Sequence, residues 1–144
     1  MQPNIEITIA TRIAHTMLRV ANLDRSLEFY VERLGMTLFR REEYPEARFT
    51  LAFVGYADET TAPALELTYN WDRDQYDKGT AYGHIALEVG DIFDRCKQLE
   101  SLGVRIVRAP GPMNANSPQR VEAELIAFIE DPDGYRIELI QSYR

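Results

Sequence analysis

His15-Thr16-Met17-Leu18-Arg19-Val20 and His84-Ile85-Ala86-Leu87-Glu88-Val89 are two versions of one pattern, and they hold the only two histidines in the chain. The segments after them repeat as well. The first block leads into the polar cap sequence Asn22-Leu23-Asp24, then Leu27, Tyr30, Val31 and Leu34 at helical spacing, stopped by Gly35. The second leads into Asp91, then Ile92, Cys96 and Leu99, stopped by Gly103. Histidine and stopping glycine are 20 residues apart in the first case and 19 in the second. The chain therefore reads as an internal duplication, each half a strand, a helix and then further strands.

The remaining segments fit this plan. Phe49 to Val54 and Ala64 to Tyr69 alternate or run apolar around the breakers Gly55 and Pro63, and read as strands of the first half. Leu125 to Ile129 and Tyr135 to Ile140 flank Asp131-Pro132-Asp133-Gly134, which suits a type I turn and predicts a hairpin. Trp71 to Gly79 is polar and charged and reads as a connection between the halves. Ala109 to Gln119, with three prolines and two asparagines, is expected to be a loop. Two modules of this size bury too little surface to be stable separately, which favours pairing them within or between chains.

At 144 residues, 45% hydrophobic and 27% charged, the composition is that of a folded domain and excludes disorder, collagen and coiled coil. No apolar run approaches the roughly 18 residues of a membrane span, and Met1-Gln2-Pro3-Asn4 does not open a signal peptide, so the expected compartment is the cytoplasm. One cysteine, Cys96, excludes an internal disulfide and a cysteine-rich metal site, and on the apolar side of its helix it reads as core. Sixteen Lys and Arg against 23 Asp and Glu, a net charge of −7 with no basic block, lack the footprint of a nucleic-acid binder. The expected partner is a small molecule.

The duplication has a chemical side. Each half opens with a histidine on a strand and closes with a glutamate on a strand: His15 with Glu66, 51 residues on, and His84 with Glu138, 54 residues on. A lone charge in an apolar strand is costly unless paired or bound to a metal. Two imidazoles and two carboxylates suit Zn²⁺, Ni²⁺, Co²⁺ or Fe²⁺, and affinity order alone does not select among them. Hydrogen-bonded strand histidines with glutamates on a solvated face are the plainer alternative, and spacing alone leaves both open. On extended strands His15, Met17 and Arg19 share a face, as do Glu66, Thr68 and Asn70. Arg19 and Asn70 thus lie about 13 Å from their respective histidine and glutamate. Trp71, Tyr76 and Tyr82 either line a cleft or cover the connection.

Five blocks, His15 to Val20, Leu51 to Tyr56, Glu66 to Trp71, Gly79 to Ala86 and Asp131 to Leu139, resemble in order those of glyoxalase I, of the vicinal oxygen chelate superfamily. The resemblance covers His15 to Gln141. It implies an α+β fold of two βαβββ modules, residues 1–72 with an N-terminal arm and 84–144, joined by a linker at 73–83. It also implies a homodimer whose clefts lie between modules of different subunits. The metal ligands it implies are His15, Glu66, His84 and Glu138. Resemblance to the short bacterial members implies Ni²⁺ or Co²⁺, with Zn²⁺ as the alternative.

The reaction so implied converts the hemithioacetal of methylglyoxal and glutathione to S-lactoylglutathione, with proton transfer through a metal-bound enediolate. Glu138 is implied as the principal base and Glu66 as its counterpart for the other epimer. Arg19 and Asn70 are implied at the γ-glutamyl end of glutathione, and Met17, on the face of His15 and Arg19, helps to enclose the substrate. The stretch from Pro110 to Glu124 is longer than in the short bacterial enzymes. It lacks their lysine for the glycine carboxylate, and Arg120 is the substitute it offers, which leaves open the choice between glutathione and another thiol. Two rival readings remain. An extradiol dioxygenase of the same superfamily uses two histidines and one carboxylate, so the fourth ligand, Glu66, speaks against it. A non-enzymatic protein sequestering a small molecule has no need of four ligands.

Overall fold

The computed structural model describes residues 9–143. The first half comprises β1 (His15–Arg19), α1 (Leu23–Leu27), β2 (Thr37–Tyr44), β3 (Phe49–Gly55) and β4 (Ala64–Asn70). The second comprises β5 (Ile85–Val89), α2 (Ile92–Ser101), β6 (Arg105–Pro112), β7 (Leu125–Glu130) and β8 (Arg136–Gln141). Each half is βαβββ, with a four-stranded sheet of order β1-β4-β3-β2 or β5-β8-β7-β6. The last strand of each half runs parallel beside the first, and the other pairings are antiparallel. This is an α+β fold, and no helix of the described residues is long and apolar enough to cross a membrane.

Local chemistry sets the elements. The Asn22 side chain accepts from the Arg25 N–H to open α1, and Asp91 accepts from the Asp94 N–H to open α2. Gly35 and Gly103 end the two helical segments at φ +76° and +86°, the left-handed region that glycine enters freely. The first helical segment differs from the single α-helix that the spacing predicts. After Leu27 it widens into a π-helical stretch, Glu28–Arg33, where the Leu34 N–H reaches the Phe29 carbonyl at 2.9 Å. The wider turn narrows the angle between successive side chains, and Phe29 and Tyr30, neighbours in sequence, are both buried.

Two further expectations are corrected. The proline-rich stretch is not a loop from its start, since Ala109 to Pro112 complete β6 and only 113–124 lack helix and strand. β6 has a single neighbour, β7, and its register shifts between Ile106 and Arg108 and again between Arg108 and Gly111. An outer, irregular strand tolerates prolines because their missing N–H costs no pairing. His84 lies one residue ahead of β5 rather than on it.

One core joins the halves, with Leu18, Val20, Val54 and Leu67 packing in the same cluster as Ile92, Leu99, Ile137 and Leu139. Cys96 lies in it, its thiol pushed up by burial. The Asp131–Gly134 turn of the second half ties onto the first. Tyr30 Oη donates to Asp131 Oδ2 at 2.6 Å, the Ala21 N–H to Asp133 Oδ1 at 2.9 Å, and Tyr135 Oη to the Arg19 carbonyl at 2.8 Å. Burial raises the Asp131 carboxyl above its usual range despite donors from Tyr30, Tyr135 and Asp133. The folded chain therefore holds this proton at a higher pH than the unfolded chain does. Its contribution to stability is largest below the ordinary Asp value of about 3.9 and declines as pH rises through the raised value. Asp131→Asn removes this titration. The stability difference, native minus Asp131→Asn, should fall as pH rises from about 4; urea unfolding showing a flat or rising difference contradicts this account.

Candidate metal and substrate site

The duplication holds residue for residue in the strand register. Met17 pairs with Glu66 between β1 and β4, and Ala86 with Glu138 between β5 and β8. In each half the histidine stands two residues before the partner of the glutamate, and so on the same face. His15 Nε2 lies 2.8 Å from Glu66 Oε2, and His84 Nε2 lies 3.5 Å from Glu138 Oε1. The imidazoles are 40% and 41% exposed while the carboxylates are 14% and 13% exposed, so in each pair the histidine is the more open group.

The rows run on across both sheets. Glu66 pairs with Phe53 and Phe53 with Arg40; Glu138 pairs with Phe128 and Phe128 with Arg108. His15 meets the Phe53 ring edge-on at 5.5 Å, as His84 meets Phe128 at 5.3 Å. Sequence reasoning missed both phenylalanines, because an aromatic in an apolar strand reads as core. The signal was in the repeat, where Leu51-Ala52-Phe53-Val54 answers Ile126-Ala127-Phe128-Ile129.

The structure brings His15 to Glu66 and His84 to Glu138, but not the two pairs together: among the described residues no three His, Cys, Asp or Glu gather to hold a metal ion. The chemistry of the donors nevertheless fits one. Each pair aligns an imidazole nitrogen with a carboxylate oxygen, and two such pairs form the mixed N,O set that divalent zinc, nickel and cobalt accept.

Further along the same face of β1, Met17 and Arg19 line a cavity of about 410 Å³ with Arg73, Tyr76, Lys78 and Tyr82. Asn70 reaches its wall through Tyr76, donating from Nδ2 to the phenol at 2.9 Å. The Arg19 guanidinium forms no ion pair with a carboxylate among the described residues. Tyr82 donates to the Arg136 carbonyl at 3.0 Å, and burial pushes its phenol up to about 12. Trp71 instead donates from its indole to Thr50 Oγ1 at 2.9 Å. Arg120 stands apart in 113–124, paired with Glu124 at 2.6 Å. Arg73 and Lys78 were given no role from the sequence, because charged residues in a polar connection read as solvated.

Residues 12–139 match the model of the Glyoxalase/Bleomycin resistance protein/Dioxygenase superfamily, and the chain belongs to that superfamily. Within it, the chain is 56% identical to the lactoylglutathione lyase of Neisseria meningitidis serogroup A over 130 residues, 90% of each protein. Glyoxalase I from Zea mays superposes with a TM-score of 0.84 at 41% identity, covering 92% of this chain, which spans only 45% of the maize chain. The trypanothione-dependent glyoxalase I of Leishmania major superposes at 0.76 with 40% identity, covering 92% of this chain and 87% of that one.

Proposed function

We propose that the protein is a lactoylglutathione lyase, converting the methylglyoxal–glutathione hemithioacetal to S-lactoylglutathione and so removing methylglyoxal. The observation that carries this reading is the in-register doubling of the His–Glu pair. His15, Glu66, His84 and Glu138 are the proposed metal ligands. Since one chain holds its two pairs apart, a site needs His15 and Glu66 of one protomer facing the equivalent of His84 and Glu138 on a second copy, and a homodimer makes two such sites.

A divalent metal bound there supplies Lewis acidity for the negative charge that develops on the substrate oxygens. The chain supplies the proton transfer. Glu138 takes the proton from the carbon bearing sulfur and hydroxyl, the released electron pair moves toward the neighbouring carbonyl oxygen, and the same carboxyl returns the proton to the neighbouring carbon. The hydroxyl proton passes from the first oxygen to the second, so that the sulfur-bearing carbon becomes the thioester carbonyl and its neighbour the carbinol. Glu66 performs this for the opposite epimer. The Arg19 guanidinium, with no carboxylate partner among the described residues, is suited to the γ-glutamyl carboxylate by its planar fork of donors, with Asn70 beside it and Met17 closing the wall. Arg120 is assigned to the glycyl end, and glutathione is the proposed thiol. The proposed compartment is the cytoplasm, where a protein with one buried thiol needs no disulfide.

The test is metal analysis of the purified protein, then an absorbance assay with methylglyoxal and glutathione. Metal-free protein reconstituted with Ni²⁺ or Co²⁺ should turn over faster than with Zn²⁺. Highest turnover with Zn²⁺ overturns the metal assignment, and no turnover with any of the three overturns the activity.

A further inference from the structure

The row that begins at His15 ends on a cation. The Arg40 guanidinium carbon sits 3.6 Å from the centroid of Phe53, the ring that His15 meets edge-on. Phe53 is only 3% exposed although it lies outside the core cluster. Its shelter therefore includes the groups on its own face of the sheet, His15 and Arg40. Arg40 is held in turn, with Nε 3.1 and 3.2 Å from the two carboxylate oxygens of Glu59 and Nη1 paired with Glu42.

The second half provides a comparison within the molecule. Phe128 holds the same register position and touches His84, with Arg108 as its partner across the strands. Arg108, however, turns to the backbone: Nη1 donates to the carbonyls of Gly111 at 3.0 Å and Ile126 at 2.8 Å, and Nη2 to that of Pro112 at 2.6 Å. Phe128 is left half-buried. One arginine of the matched pair caps its ring and the other pins the start of the 113–124 segment.

We infer that Arg40 is a positioning residue for the His15 half of the metal site: by capping Phe53 it fixes the wall against which the His15 imidazole rests, and so the direction of Nε2. The inference rests on the metal reading above. It makes the two histidines unequal, since His84 rests on a ring with no such cap. A ring that is free to tilt lets the half-exposed His15 imidazole tilt with it, and a ligand that must be reoriented binds metal less tightly.

Nickel affinity by competition with a coloured chelator, and the visible absorption of Co²⁺-loaded protein, which reports ligand geometry, test this without reference to turnover. Arg40→Met should weaken nickel binding by about tenfold, the lower end of what is lost when a group behind a ligand is removed, and should shift the cobalt bands. Arg40→Lys keeps a cation over the ring and should restore both. Arg41→Met is the control, because the Arg41 guanidinium points to Asp24 and Glu43 at 3.7 and 3.8 Å; affinity and spectrum should stay native. Unchanged affinity and spectrum in Arg40→Met overturn the inference, even with a lowered Tm, and so does an equal loss in Arg41→Met. A native chain that binds neither metal overturns the metal reading and this role together, whereas metal binding indifferent to Arg40 overturns this role alone.

Discussion

Glu138→Gln should lower turnover of the hemithioacetal by about 10²–10⁴-fold, the usual contribution of a positioned general base, while retaining part of the metal. Glutamine preserves the size of the side chain and an oxygen, and removes only its capacity to take a proton. Glu66, proposed to serve the opposite epimer, should matter less, so Glu66→Gln should leave more activity than Glu138→Gln. Native turnover by metal-loaded Glu138→Gln overturns its assignment as the base.

Arg19→Ala should raise KM by roughly 10–100-fold, corresponding to about 1.5–3 kcal/mol for a hydrogen bond to a charged group. Arg19 is exposed at the mouth of its cavity, so its loss falls toward the lower part of the range found when a buried charge pair is broken. It holds a part of the substrate that does not react, and some of that binding energy also aligns the reacting carbon, so a fall in kcat accompanies the change in KM. Metal content should remain native. Metal analysis and titration with S-alkyl glutathione decide the matter: a variant that loses its metal, or binds the inhibitor as the native protein does, excludes Arg19 from the γ-glutamyl subsite.

The duplication was legible in the sequence because its punctuation is local. Asn22 and Asp91 open helices with their own side chains, Gly35 and Gly103 end them, and a histidine heading an apolar strand is rare enough to notice twice. The repeat of one His and one Glu in each half was legible, whereas their sharing a face depends on the register of β1 with β4 and of β5 with β8. The features that escaped the sequence depend on neighbours distant along the chain. The prolines at 110 and 112 read as breakers, and only the position of β6 at the rim of its sheet makes them strand residues. The π-helical turns go with the burial of both Phe29 and Tyr30, the latter bonded to Asp131, 101 residues away. Whether Tyr76 covers a linker or walls a cavity depends on Asn70 and Arg19 arriving beside it, which no local pattern records.

The irregularity of the outermost strands bears on how the protein behaves at high concentration. A straight, unpaired strand edge is a template on which further chains can add, the first step toward fibrils. Here β2 carries a bulge between Leu38 and Arg40, and then the consecutive charges Arg40, Arg41, Glu42 and Glu43. β6 is twice out of step with its neighbour and lacks the N–H groups of Pro110 and Pro112. The β2 and β6 rims are therefore poor templates, and growth of one chain onto another along these two edges is disfavoured.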